Sequence, residues 1–127
     1  MDTTQTWIEQ TASDVEKYVL AKKGPGSKII CASGISPSGP VHLGNLREAI
    51  TVHLVTEELK LRGWDAEHIH SWDDFDRLRK VPAGVPQRLA EHIGRPLADV
   101  PDPQGEFSSY SRRFSHAFED ALLEMGI

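Results

Sequence analysis

Pro37-Ser38-Gly39-Pro40-Val41-His42-Leu43-Gly44-Asn45 separates two stretches of different period. Before it, Lys28 to Ala32 is a short apolar run flanked by turn residues, the pattern of a strand buried in a parallel sheet. After it, Leu43, Leu46, Ile50 and Leu54 recur at intervals of 3, 4 and 4, which predicts a helix over Leu43 to Leu61 whose apolar face they form, stopped by Gly63. Asp65 to Trp72 reads as a second strand. Residues 28–72 therefore spell strand, loop, helix, strand, with a crossover of the length a parallel βαβ unit needs. Such crossovers are right-handed almost without exception. Ligands of these sheets bind beyond the carboxyl ends of the strands. The loop at Gly34 and the segment Ser71-Trp72-Asp73-Asp74 are therefore expected to share one cleft.

Outward from this unit the chain stays punctuated. Ile8, Ala12, Val15 and Val19, at intervals of 4, 3 and 4, form one face of a helix that begins near Trp7 and ends before Gly24-Pro25-Gly26. Val81 to Gln104 is dense in proline and glycine; only Gln87 to Ile93 could form a short helix, and the segment reads as an irregular connection over the cleft. Ser108 or Ser109 can cap a last helix in which Tyr110, Phe114, Phe118 and Leu122 recur every fourth residue before Gly126. Trp7, Trp64, Tyr110 and the phenylalanine pattern of the last helix are expected in the core, and His53, His92 and His116 in structural or exposed positions. The last helix, followed by Ile127, resembles the approach to another strand, so the fold is expected to be a partial one.

Composition narrows the class. At 127 residues the chain suits one domain with a buried core. A net charge of −5 argues against a chain that wraps nucleic acid by itself, since that needs clustered Lys and Arg. Arg77-Arg79-Lys80 and Arg112-Arg113 are short basic clusters that read as solvated faces. The single cysteine, Cys31, has no partner for an internal disulfide and reads as a small buried apolar residue. No apolar run approaches ~18 residues, and Met1-Asp2-Thr3-Thr4-Gln5 has neither a positive nor an apolar leader region. A cytoplasmic protein without a membrane span is expected.

The nine-residue loop has the chemistry of a phosphate site. A helix N-terminus carries partial positive charge and unsatisfied N–H groups, and binds phosphate readily. Gly39 and Gly44 leave room for the backbone to approach a ligand. His42 and Asn45, three apart, project to similar sides once the first turn forms, and both can donate to phosphoryl oxygens. Stabilising charge on a pentacoordinate phosphorus is a positioning and electrostatic task that needs no nucleophile from the protein. Gly34-x4-Gly39 has P-loop glycine spacing, but Pro40-Val41 stands where Lys-Ser/Thr is required, and no GxGxxG follows the strand. A purely structural turn capped by His42 is the alternative. Asp73, Asp74 and Asp76 could meet a cationic ligand or magnesium, or pair with the nearby basic residues. His68 and His70, two apart on a strand, share a face but lack further ligands for zinc, so no protein-bound metal is expected.

At these residues the chain resembles class I aminoacyl-tRNA synthetases, whose first signature, HIGH, reads here His42-Leu43-Gly44-Asn45. The closer resemblance is to class I lysyl-tRNA synthetases (lysine–tRNA ligases). It rests on Cys31 through Gly39, on His68-Ile69-His70-Ser71-Trp72-Asp73-Asp74-Phe75-Asp76-Arg77, on Arg79-Lys80-Val81-Pro82, and on Val100-Pro101-Asp102-Pro103. It implies an α/β, Rossmann-like parallel sheet with flanking helices, residues 1–127 forming the N-terminal half of the nucleotide-binding catalytic domain. It further implies that Pro37, Ser38, Gly39, His42, Gly44 and Asn45 hold ATP, with His42 and Asn45 catalytic, and that Gly34, Ser36, Trp72 and Asp74 border the lysine pocket. The implied reaction activates lysine with ATP and Mg2+ to lysyl-adenylate and transfers it to tRNA(Lys). The family's second signature, KMSKS, does not occur in these residues, so negligible aminoacylation is expected of the chain alone and tRNA contacts are expected mainly from regions beyond it. Two further readings stand beside this one: a short synthetase-like module that binds ATP or lysine without ligase activity, and a nucleotidyltransferase of the HxGH type. The latter would want His at the position of Asn45 and gives no reason for the Ser71 to Pro82 string.

Overall fold

A computed structural model describes residues 4–127; the reading of Met1-Asp2-Thr3 as part of a leaderless N-terminus lies outside the described residues. The elements are α1 (Trp7–Lys22), β1 (Ile29–Ile35), α2 (Leu43–Leu61), β2 (Ala66–Trp72), two 3-10 turns (Gln87–His92 and Leu97–Asp99) and α3 (Tyr110–Glu124). The fold is α/β, with β1 and β2 as a two-stranded parallel sheet and helices flanking it. Ile29 N–H donates to the Asp65 carbonyl at 2.8 Å and Asp73 N–H to the Ile35 carbonyl at 2.9 Å, which fixes the register from end to end. The chain divides into two compact units: one runs up to Ser33 and resumes over Glu48–His70, and the other takes Gly34–Arg47 and Ser71–Ile127.

In the first unit α1 starts at a full capping box, with the Thr6 hydroxyl accepting from Glu9 N–H and the Glu9 carboxylate accepting from Thr6 N–H. Ala12 and Val19 of α1, Ile29 of β1, Val55 and Leu59 of α2 and Ala66 of β2 form the core, with Val15, Cys31 and Trp64 packed against it. Arg62 ties α2 to α1 by pairing with Glu16 and donating to the Glu9 carbonyl at 3.0 Å; Trp64 Nε1 donates to the other Glu16 oxygen at 2.8 Å. Several expectations are corrected. Trp7 is 52% exposed, not core, because it is the first residue of α1 and precedes the packed turns. Cys31 is only partly buried. Ile30 and Ile69 are half exposed, at 50% and 46%, so the strands alternate instead of being covered on both faces. The buried face of α2 is Ala49, Val55, Thr56 and Leu59, not the leucine series; Leu43 is 77% exposed. Close packing selects small and β-branched residues there, and Thr56 enters the core because its hydroxyl donates to the Val52 carbonyl at 2.7 Å.

The second unit has a core of its own, made of Leu78, Leu89, Leu97, Val100 and Tyr110. The proline-rich segment is therefore packed structure: Leu78 N–H donates to the Arg95 carbonyl and Gly94 N–H to the Leu78 carbonyl, both at 2.8 Å. Its short helix over Gln87–His92 is 3-10 in type, and a second 3-10 turn at Leu97–Asp99 follows; Pro86 and Pro96 immediately precede them. Proline pre-sets the first φ of such turns. Buried Asp102 organises the approach to α3. Its carboxylate pairs with Arg113 and accepts from the N–H groups of Gln104, Glu106 and Phe107 at 3.3, 2.8 and 2.7 Å. Ser109 caps α3, accepting from Arg112 N–H at 3.1 Å.

Candidate functional site

The second unit holds a cavity of about 370 Å³ on the carboxyl side of β1 and β2. Ser36, the loop from Pro37 to Val41, His42 and Asn45 line it from the β1 side; Trp72 and the segment Asp76–Lys80 line it from the β2 side. Phe118 of α3 supports Trp72 edge to face, ring centroids 5.1 Å apart. Of the two segments expected to share a cleft, the loop that follows Gly34 and Trp72 do line one, whereas Gly34, Ser71, Asp73 and Asp74 do not.

The loop is fixed from beneath. The buried Tyr110 hydroxyl donates to the Ser38 carbonyl at 2.6 Å, and burial pushes that phenol up to about 12. Gly39 lies so close to Pro82 that a Cβ there would meet the ring Cγ at 2.8 Å. No side chain fits, which gives this glycine a steric role beyond chain flexibility.

At the start of α2, His42 and Asn45 cap each other. Asn45 N–H donates to His42 Nδ1 at 3.3 Å, and His42 N–H donates to Asn45 Oδ1 at 3.4 Å. A ring nitrogen that accepts cannot carry the proton, so the neutral imidazole holds it on Nε2. Asn45 likewise commits its oxygen and leaves its amide NH₂. The pair therefore offers N–H donors to a ligand and keeps its acceptors for the backbone. Gly44 lets the imidazole fold back over the helix, since a Cβ there would meet His42 Cε1 and Nδ1 at 3.1 Å.

Asp76 is the carboxylate on the opposite wall. It accepts from Ser36 Oγ at 3.0 Å, from Arg77 N–H at 2.9 Å and from Arg79 at 3.4 Å. The Ser36 hydroxyl, foremost, and then Arg79 hold its carboxyl below the usual range. Of the residues read from sequence, Pro37, Ser38, Gly39, His42, Asn45, Ser36 and Trp72 line the cavity, whereas Gly34, Gly44 and Asp74 stand outside its wall. Gly34 abuts Ser71, whose Oγ would sit 2.7 Å from an added Cβ. Asp74 is exposed and uses its carbonyl to accept from Ala98 N–H. Asp73 turns to Asp76 N–H at 3.1 Å, so the three carboxylates do not converge. Among the described residues no three His, Cys, Asp or Glu side chains form a group that could hold a metal ion. Of the two roles open to Asp76 in the sequence, a cation contact or a pairing with the nearby basic residues, the second is seen in its contact with Arg79. Arg77, Arg79 and Lys80, expected as a solvated face, line the cavity, and their adjacency to Trp72 was the available signal.

His68 and His70 lie in the other unit. Both meet the buried Ser33 hydroxyl, at 2.8 Å from Nε2 and 2.6 Å from Nδ1 respectively. The hydroxyl has one proton, so it donates to one ring and accepts from the other. Desolvation by burial, foremost, pushes both imidazoles below their ordinary range; nearby His53 and Lys60 add to it for His68, and for His70 the neighbouring His68 adds to it while Glu48 opposes it.

The family model of tRNA synthetases class I (K) matches residues 5–127. The chain belongs to the class I tRNA synthetases. Its βαβ unit accords with the Rossmann-like fold of that family. Similar proteins include the lysine–tRNA ligases of Streptomyces coelicolor (48% identical over 98% of this chain), Pyrococcus horikoshii (43% over 91%) and Methanosarcina barkeri (38% over 100%). This class I synthetase chain spans 22% of the length of each of these relatives. No helix among its described residues is long and apolar enough to cross a membrane.

Proposed function

We propose that this chain carries one side of the ATP and lysine site of a lysine–tRNA ligase, residues 1–127 acting as the N-terminal half of its catalytic domain. The observation that carries the reading is the reciprocal cap of His42 and Asn45 at a cavity wall, which leaves donors alone for a ligand. In this reading Pro37, Ser38, Gly39, His42, Gly44 and Asn45 hold the nucleotide. Gly34, Ser36, Trp72 and Asp74 serve the lysine side, and Gly34, Gly44 and Asp74 act from outside the cavity wall.

The lysine carboxylate attacks the α-phosphorus of ATP and pyrophosphate leaves, giving lysyl-adenylate. A terminal ribose hydroxyl of tRNA(Lys) then attacks the acyl carbon and AMP leaves. His42 Nε2–H and the Asn45 amide stabilise the charge that grows on phosphoryl oxygens in the first step. Mg2+ enters with ATP and screens the departing pyrophosphate; no carboxylate of this chain is assigned to it. Lacking KMSKS, the 127-residue chain alone supports negligible aminoacylation.

The test is a chimera in which residues 5–127 replace the matching segment of the Streptomyces coelicolor relative. Lysine-dependent ATP–pyrophosphate exchange is expected, and His42→Ala should slow it by about 10²-fold, the effect of losing one transition-state donor. An exchange rate unchanged by His42→Ala would overturn the role assigned to this loop.

A further inference from the structure

The cavity wall opposite His42 and Asn45 carries more positive charge than its own acid balances. Arg77, Arg79 and Lys80 line it, and Asp76 is the one carboxylate among its described lining residues. Asp76 is already engaged by Ser36 and by Arg77 N–H, and its contact with Arg79 is long, at 3.4 Å. Lys80 and Arg77 form no ion pair among the described residues. The chain as a whole is acidic, with a net charge of −5, so a local surplus of two positive charges at a concave wall is a departure from its average.

The segment bearing these cations is anchored at both ends. Leu78 is buried in the core of its unit and paired with Arg95 by its N–H. Pro82 is seated against Gly39 of the loop. Arg79 and Lys80 lie between those anchors, so their side chains vary over a short reach from a fixed backbone. An anion held by the donors of His42 and Asn45 would extend its next charged groups toward them. The ligand such a pair of walls fits is a chain of phosphates, not a single one.

Resting on the reading under Proposed function, we infer that Arg79 and Lys80 form a polyphosphate subsite that takes the β- and γ-phosphates of ATP and holds pyrophosphate as it departs. Arg79 would exchange its long contact with Asp76 for a phosphate oxygen, a stronger charge-assisted partner. Asp76, kept in place by Ser36, would remain as the support from which Arg79 swings.

The test is calorimetric titration of the chimera described above, which supplies the other side of the site, with ATP, AMP and inorganic tripolyphosphate, at two salt concentrations. The double variant Arg79→Gln with Lys80→Gln is expected to lose about tenfold or more in affinity for ATP and tripolyphosphate, with AMP affinity unchanged and a shallower salt dependence. The control pair Lys17→Gln with Lys22→Gln, exposed positions on α1, removes the same charge outside the cavity and should leave all three affinities unchanged. Equal losses in the double variant and the control, or an equal loss for AMP, would overturn the subsite while leaving the nucleotide reading intact. A chimera that binds neither ATP nor tripolyphosphate would overturn both. Circular dichroism of each variant ensures that the comparison is made between folded chains.

Discussion

Replacing Asp102 with Asn tests how the turn into α3 is held. The Asp102 side chain is 1% exposed, pairs with Arg113, and accepts from three backbone N–H groups of the turn that leads into α3. Asn keeps the volume but has one acceptor oxygen. If that oxygen stays with Arg113 and Gln104, the N–H groups of Glu106 and Phe107 face an NH₂ group and lose their acceptor. Hydrogen bonds to a charged group contribute about 1.5–3 kcal/mol each against ~1 for neutral ones. Part of the loss is recovered by water, because Glu106 is exposed. A net destabilisation of about 3 kcal/mol follows, at the lower edge of the range for breaking a buried ion pair. With a urea slope of about 2 kcal/mol/M for a chain of this size, the midpoint should fall by roughly 1.5 M with the slope unchanged. Linkage adds a second readout. Arg113, foremost, and the three N–H groups hold the carboxyl far below its ordinary value. A depressed carboxyl contributes stability that is present above the unfolded value of ~3.9 and is lost as pH falls below it. The gap between wild type and variant should therefore be constant near neutrality and shrink below about pH 4. Urea melts followed by circular dichroism at pH 7 and pH 3 make the measurement. A midpoint unchanged at pH 7 would mean that water, not Asp102, satisfies this turn, and would refute the reasoning.

Gly39→Ala forces a Cβ to 2.8 Å from the rigid Pro82 ring. It should cost about 1–3 kcal/mol in a urea melt and weaken ATP binding, because the loop backbone must move; full ATP affinity would show that the loop tolerates displacement. Protonation of His68 and His70 is disfavoured by folding, so their contribution is full above the unfolded value of ~6.5 and is lost as pH falls through their lower folded values. Stability measured by melting should fall between pH 7 and pH 5 at no more than ~1.4 kcal/mol per pH unit per imidazole, and His68→Gln should flatten the slope.

The legible parts were those written in short-range pattern. Periodicity and the Gly63 stop gave the span of α2, and the Ser108-Ser109 pair before the aromatic repeat gave the start of α3, where Ser109 is the cap. The phosphate loop was readable because turn chemistry, helix start and donor residues fall within nine positions. The buried face of α2 was not readable from leucine spacing, since which stripe is covered depends on what the strands present to it. The Val81 to Gln104 segment read as irregular, yet its residues complete a core through pairings such as Leu78 with Arg95.

The sequence by itself determined the βαβ unit, the loop that opens α2 and the class I synthetase resemblance, because each is carried by neighbours in the chain. Only the tertiary structure decided that Asp76 instead of Asp74 meets Ser36, 40 positions away, and that Arg79 and Lys80 share a cavity with His42. Local propensity carries no information on which distant side chains meet. That is settled when Leu78 is buried and Pro82 closes on Gly39, and the basic residues between them are carried to the cavity wall.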